Sequence, residues 1–335
     1  MKIFVVVLIC LINSVSLFSH SEGTVKRSIC LVIRSDFRGE RELAERIKRA
    51  CNTLGWEAHQ LYASQRVLSQ RKYDWILTMV PGKQKLVNQD NYLILFDPEH
   101  HYFNSDGYLR GDYSGYTGYL TTYSNIDMLV EDKKIGGKRI YKKQWFPTVQ
   151  HHSHRKVTPD KLFCFLGHWG DRKKNERYIT LYKKLSQKKY TNLYGFETVG
   201  RGFGKAYKGA IDYDGESVVR TISEMGVCLV LHSETHLKYG IPSGRIFEAT
   251  AASAVIISDM NNFITENFGD SVFYVDQTLS GEEMFKQVDK YMTWIKNHPN
   301  EALDMARRSH KIFEEKFCLE NQLLEFDDFH QSFQK

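Results

Sequence analysis

Ser243, Gly244, Arg245 and Glu248 lie close together in the run 239–249, Tyr-Gly-Ile-Pro-Ser-Gly-Arg-Ile-Phe-Glu-Ala. Two glycines and a proline give a flexible turn, and the residues after it favour a helix starting at 244. The first backbone N–H groups of a helix lack partners of their own, and together with the helix dipole they can hold a diphosphate. Arg245 puts a cation where that dipole disfavours one, and a bound phosphate would resolve the conflict. Ser243 adds a hydroxyl. Glu248 sits one turn further along the same side, where a carboxylate can accept two hydroxyl hydrogen bonds from a ribose. The same residues also suit an ordinary helix start with a surface arginine, and the run taken alone leaves both readings open.

Other chemistry-bearing residues fall at the ends of apolar runs. The loop 35–40 carries Asp36 and Arg38, both suited to binding an acceptor. The loop after the fourth apolar run carries Asp97, Glu99 and His100, any of which could take a proton from an acceptor hydroxyl. Gly167 and Gly170 allow close backbone approach, and His168, Arg172 and Lys173 could meet phosphate or acceptor. Phe196 could stack on a base. His151, His152 and His154 cluster between Pro147 and Pro159, and the plainer reading of that cluster is a polar interdomain loop. No G-x-G-x-x-G run is present, which argues against a dinucleotide oxidoreductase. No G-x-S-x-G run supports a hydrolase, and no C-x-x-C pair supports zinc.

These loops need a framework, and the hydrophobic pattern predicts one. Apolar runs at 28–34, 57–62, 73–80, 92–96 and 118–122 read as strands, with an amphipathic helix at 41–54. The stretch 131–159 changes character and reads as the end of the first domain and the crossing to the second. The pattern then restarts. Strands are expected at 162–166, 191–194, 227–231, 254–258 and 271–275. Helices are expected at 175–185, 217–225, 244–252, 281–294, 300–317 and 319–333. Strands alternating with helices predict parallel sheets covered by helices, and such sheets bind ligands beyond the carboxyl ends of their strands.

Charge is uneven along the chain. Residues 131–189 hold 17 Lys and Arg against 5 Asp and Glu, although the whole chain carries a formal charge of only +6. A basic middle could attract a phosphate-bearing small molecule, nucleic acid or an anionic membrane, and a solvated helix face would also account for it. No nucleic-acid motif accompanies the charge, so nucleic acid is not expected as a partner. Lys2 precedes an apolar run at 3–12 that continues through Val15, Leu17 and Phe18. This predicts a signal peptide or membrane anchor over 1–22, membrane association through it, and a lumenal or membrane-associated place in the secretory pathway.

The run IPSGRIFEATAASAVIISD (241–259) resembles the donor-site helix and following strand of GT-B glycosyltransferases. It is most similar to the branch with a CgeB-like, glycosyltransferase family 1-like C-terminal domain. FLGHWGDRKKNERYITLYKKL (165–185) is similar to the first strand, loop and helix of a donor domain, and NLYGFE (192–197) to the strand and loop beside the nucleobase. The resemblance covers 158–318 well and the N-terminal half only in layout.

The resemblance implies an α/β fold of two Rossmann-like domains facing each other across a cleft. Residues 26–150 would be the acceptor domain, 158–318 the nucleotide-sugar donor domain, and 319–335 a helix returning to the first domain. It implies sugar transfer from a UDP- or GDP-sugar to a hydroxyl of a glycan, lipid or protein, with no metal and no tightly bound cofactor. Glu248 would hold the donor ribose. Gly167, His168, Arg172, Lys173, Phe196, Ser243, Gly244 and Arg245 would complete the donor site. Arg245 with one of Asp97, Glu99 and His100 would carry catalysis. The wider family often has a second glutamate eight residues upstream, where this chain has Gly240. That departure keeps two rivals in view: a catalytically inactive GT-B-like protein that binds glycan or a partner, and another sugar-nucleotide enzyme such as an epimerase.

Overall fold

The computed structural model describes residues 26–34, 38–62, 71–79, 89–95, 115–122, 139–141, 143–167 and 175–334. The apolar segment 1–22 lies outside them. Among the described residues no helix is long and apolar enough to cross a membrane.

The N-terminal half contains β1 (Ser28–Ile33), α1 (Arg38–Thr53), β2 (Glu57–Tyr62), β3 (Trp75–Thr78), β4 (Asn91–Leu95), β5 (Gly118–Thr121) and β6 (Arg139–Ile140). They form one sheet in the order β2-β1-β3-β4-β5-β6, and every pairing is parallel. Parallel strands are covered on both faces, which explains the continuous apolar runs of β1, β3 and β4. One expectation shifts here. The helix begins at Arg38, inside the segment expected to be loop, and Glu40 is drawn in by accepting the Arg34 backbone N–H at 2.9 Å. The stretch expected to end the first domain contributes β6 to its sheet before the chain crosses.

The C-terminal half contains β7 (Lys161–Leu166), α2 (Glu176–Leu185), β8 (Thr191–Gly195), α3 (Glu197–Gly200), β9 (Tyr207–Gly209), α4 (Ser217–Met225), β10 (Gly226–Val230), α5 (Glu234–Tyr239), α6 (Gly244–Ala251), β11 (Val255–Asp259), α7 (Asn262–Phe268), β12 (Phe273–Val275), α8 (Gly281–Asn297), α9 (Pro299–Lys316) and α10 (Leu319–Gln331). Its sheet runs β12-β11-β10-β7-β8-β9, again all parallel. One face packs Phe163, Cys228 and Ile256 against α4, α6 and α9. The other packs Leu162, Val227 and Ile257 against α2 and α8. The period of two along each strand divides its side chains between these two cores.

The last helix belongs to the first core. Leu319, Leu323 and Phe326 of α10 are buried with Leu43, Trp75, Tyr92 and Trp145. The Phe326 ring lies edge-on to Trp75 at 5.0 Å and to Tyr92 at 4.8 Å between centroids, the favoured aromatic geometry. Asp327 accepts from Trp75 Nε1 at 3.0 Å and pairs with Arg27 at 2.7 Å. The chain therefore crosses between domains twice, and the crossings run side by side. Gln322 accepts the Phe146 N–H at 2.9 Å and donates back to the Phe146 carbonyl at 3.0 Å. The Thr148 hydroxyl donates to the Phe317 carbonyl at 2.6 Å.

Candidate functional site

Each sheet has one point where the chain reverses its direction of growth. In the C-terminal sheet β8 and β9 are laid to one side of β7, and β10 then returns to its other side. The crevice between the carboxyl ends of β7 and β10 is therefore the place where such a sheet binds ligands. Gly167 follows β7 there, and residues 231–243 follow β10. The corresponding point of the N-terminal sheet lies between β1 and β3, and α1 leads away from it.

The two points meet through α1 and α6. Helix α6 starts at Gly244 after Ser243, whose extended backbone sits at the cap position while its side chain caps nothing. The Ser243 Oγ is buried with no hydrogen-bond partner. A Cβ at Gly244 would stand 3.3 Å from the Pro147 carbonyl of the first crossing, so the glycine admits close passage of that backbone. Arg245 lies over the rings of Phe165 and Phe163, at 4.4 and 5.4 Å from their centroids, and pairs with the Glu248 carboxylate. These are favourable places for a cation, and they hold the guanidinium at the carboxyl end of β7.

Glu248 has a second partner. Arg46 of α1 donates to it from the other domain, and donates also to Glu42 at 2.9 Å. All three groups are buried, with Arg46 4%, Glu42 7% and Glu248 6% exposed. Burial alone would lower the Arg46 pKa, yet Glu248 and Glu42 hold it above its ordinary value. Glu42 also accepts the Gly215 N–H at 3.0 Å, while Gln150 donates to the Gly215 carbonyl at 3.0 Å. Further out, Arg49 pairs with Glu216 at 2.7 Å. The Asp214 carboxylate accepts from the Ser217 N–H at 2.7 Å and the Glu216 N–H at 3.0 Å. Desolvation would raise the Asp214 pKa, but these donors, the Ser217 hydroxyl and Arg49 bring it down to about 2.

A second cross-domain contact lies beyond β8. The Arg38 guanidinium is 5.3 Å from the Phe196 ring centroid and 5.7 Å from that of Tyr213. Burial raises the Tyr213 pKa, and Arg38 works against that rise. Gly195, just before Phe196, has φ +129°, and a Cβ there would stand 2.2 Å from the Leu166 carbonyl. Only glycine lets the ends of β7 and β8 come this close.

Past β10, His232 and Asp259 form a fully buried pair, both 0% exposed. The His232 backbone N–H and its Nδ1 each approach one oxygen of Asp259 at 2.6 Å. The Nε2 atom has no partner.

The structure thus gathers Ser243, Gly244, Arg245 and Glu248 on α6, with Gly167 across the switch point, and brings Arg38 against Phe196. Asp36, Asp97, Glu99, His100, His168, Arg172 and Lys173 lie outside the described residues. Among the described residues no group of three His, Cys, Asp or Glu side chains could hold a metal ion. Of the histidine trio, His151 faces Glu314 at 3.3 Å and His154 stacks edge-on to His310 at 5.3 Å. His152 is pushed down to about 4, first by burial and then by Arg155. Sequence reasoning missed Arg46, Glu42, Tyr213, His232 and Asp259. A cavity of about 610 Å³ beside Lys161, Lys189 and Lys296 opens at the amino end of β7, away from the switch point.

Residues 176–327 match the family described as "Glycosyl transferase-like". No curated protein matches the chain by sequence. Solved structures match it by fold. An alpha-glucosyltransferase in complex with UDP and a 13-mer DNA containing an HMU base has 10% identity and a TM-score of 0.57, covering 91% of this chain and 99% of that one. HepE from Anabaena in complex with UDP-glucose has 9% identity and a TM-score of 0.55, with coverage of 90% and 99%. TarM aligns with a TM-score of 0.50 at 10% identity over 76% of this chain, which spans 54% of TarM's length. At these identities the likeness speaks to fold: two Rossmann-like domains in the GT-B arrangement.

Proposed function

We propose that this chain is a glycosyltransferase that moves a sugar from a nucleoside-diphosphate sugar, with UDP or GDP as carrier, to a hydroxyl acceptor on a glycan, lipid or protein. One observation carries the reading. An arginine and a glutamate stand at the start of α6 beside the switch point of one domain, and α1 of the other domain closes over them. The family match over 176–327 supports it.

In this reading the diphosphate rests on the free N–H groups of α6 and the Ser243 hydroxyl. Arg245 neutralises the charge that grows on the leaving group, so no metal is required. Glu248 accepts the ribose hydroxyls, and to do so it exchanges its bond to Arg46. Phe196 offers a face to the base once Arg38 moves aside. The acceptor comes from the N-terminal domain, with Asp36 and Arg38 at its edge and Asp97, Glu99 or His100 taking its proton. A lumenal or membrane-associated setting fits the apolar segment 1–22.

Titration calorimetry with UDP and GDP tests this. Glu248→Ala should weaken nucleotide binding about 10-fold or more, the loss of a charge-assisted bond. Equal affinity in both proteins removes Glu248 from the role. A second reading, a catalytically inactive GT-B-like binding protein, draws on Gly240 and on the engagement of Glu248 by two guanidiniums. Slow hydrolysis of donor without acceptor separates the two, because only an active transferase shows it.

A further inference from the structure

We infer that His232 reads the transferred sugar, its Nε2 sharing a hydrogen bond with a sugar hydroxyl of the donor. This rests on the nucleotide-sugar reading above and adds to it a residue that discriminates between sugars. The Asp259 carboxylate takes both the backbone N–H and the Nδ1–H of His232 at 2.6 Å. Its grip fixes the ring's orientation and makes Nδ1 the donor to Asp259, which leaves Nε2 as the ring's one remaining polar atom. That atom is fully buried and unpartnered. Buried polar atoms without partners are uncommon in folded proteins, and each calls for an explanation.

Location supplies one. His232 lies two residues beyond the end of β10 at the switch point. The segment from α5 to α6 is tied to the same place, because the Ile241 N–H donates to the His236 carbonyl at 2.9 Å and Asn261 donates to the Ile241 carbonyl at 3.0 Å. Two more orphaned buried oxygens belong to these segments, Ser243 Oγ before α6 and Ser258 Oγ near the end of β11. Unmatched polar atoms at one sheet end suit a ligand rich in hydroxyls.

A sugar hydroxyl both donates and accepts, so it can pair with Nε2 in either role, whereas an ionised phosphate oxygen only accepts. The ribose is assigned to Glu248 and the base to Phe196, which follows β8 on the far side of β7. This leaves the transferred sugar for the β10 side. A ring held at both its main chain and its Nδ1 offers one fixed hydrogen-bond direction, and a fixed direction distinguishes epimers.

The test is calorimetry with UDP, UDP-glucose and UDP-galactose, and with GDP and GDP-mannose, on wild type, His232→Asn and His232→Gln. Asparagine can still donate to Asp259 but has no atom at the Nε2 position, while glutamine returns an amide near it. Wild type should bind one sugar nucleotide more tightly than the matching diphosphate and prefer one sugar. His232→Asn should keep the diphosphate affinity within about twofold and lose about tenfold of the sugar's added affinity, with partial recovery in His232→Gln. Equal losses for diphosphate and sugar nucleotide, or no loss, overturn the role of His232 while leaving the transferase reading intact. Wild type that binds none of these nucleotides overturns both. Should His232→Asn fail to fold, His232→Gln carries the comparison: a changed ranking of the sugars supports the inference and an unchanged ranking overturns it.

Discussion

Replacing Arg46 with methionine isolates the contact that joins the domains. The side chain keeps its apolar stem and loses the guanidinium that serves Glu42 and Glu248 together. Both carboxylates stay buried, but neither is left bare: Glu248 retains Arg245 and Glu42 retains the Gly215 N–H. Removing one member of a buried ion pair costs about 3–5 kcal/mol, and the surviving partners place Arg46→Met at the low end, about 3 kcal/mol. For a chain of this size that corresponds to a melting temperature lowered by roughly 4 °C. Thermal and urea unfolding followed by tryptophan fluorescence, with Trp75 and Trp145 in the N-terminal core, would measure it. Combining Arg46→Met with Glu248→Gln in a double-mutant cycle should give a coupling energy of about 1–3 kcal/mol. A loss below about 1 kcal/mol, with no coupling, would show that desolvation of the guanidinium cancels its attraction to the carboxylates, and the reasoning about the domain contact would fail.

Phe326→Ala should destabilise by about 3–5 kcal/mol, because the ring is fully buried against Trp75, Tyr92 and Trp145; a melting curve within 1 °C of wild type would contradict the docking of α10. Gly195→Ala puts a methyl group 2.2 Å from the Leu166 carbonyl at a positive φ, and should reduce soluble yield or lower the urea midpoint by the equivalent of a few kcal/mol. His152 has a folded-state pKa of about 4 against an ordinary 6.5. The folded protein therefore refuses a proton that the unfolded chain binds, so stability is intact above about pH 6.5 and falls as pH drops toward 4. The fall approaches about 3 kcal/mol at 1.36 kcal/mol per unit. His152→Leu should flatten the urea midpoint between pH 7.5 and 4.5, and an unchanged slope would mean that other groups set it.

Where one face of a segment meets its own domain's core, the sequence shows the element clearly. Leu43, Ile47 and Ala50 mark α1, and the unbroken apolar runs of β10 and β11 mark two central strands. Helix α5 escaped because none of its residues is buried, so no apolar stripe exists to be seen. Strand β9 escaped because an edge strand of three partly exposed residues leaves no pattern. The site divides in the same way. Arg245 and Glu248 share one helical turn and can be read together. Arg46 reads as an ordinary polar residue of α1, since what buries it is the other domain, 202 positions away in sequence. His232 and Asp259 stand 27 residues apart on neighbouring strand ends, and only the parallel pairing of β10 with β11 brings them together.

The docking of α10 into the first core bears on the order of events during synthesis. Domains generally fold in the order in which they leave the ribosome. Here the aromatic cluster around Trp75 and Tyr92 stays open until Phe326 has been translated, after the whole of the C-terminal sheet. The earlier-made half must wait with exposed apolar surface, while the later-made half can close on its own contacts. A released chain truncated after residue 318 should accordingly present a protease-resistant second half and a labile first half, which makes the closing stretch of translation the period when chaperone protection matters most.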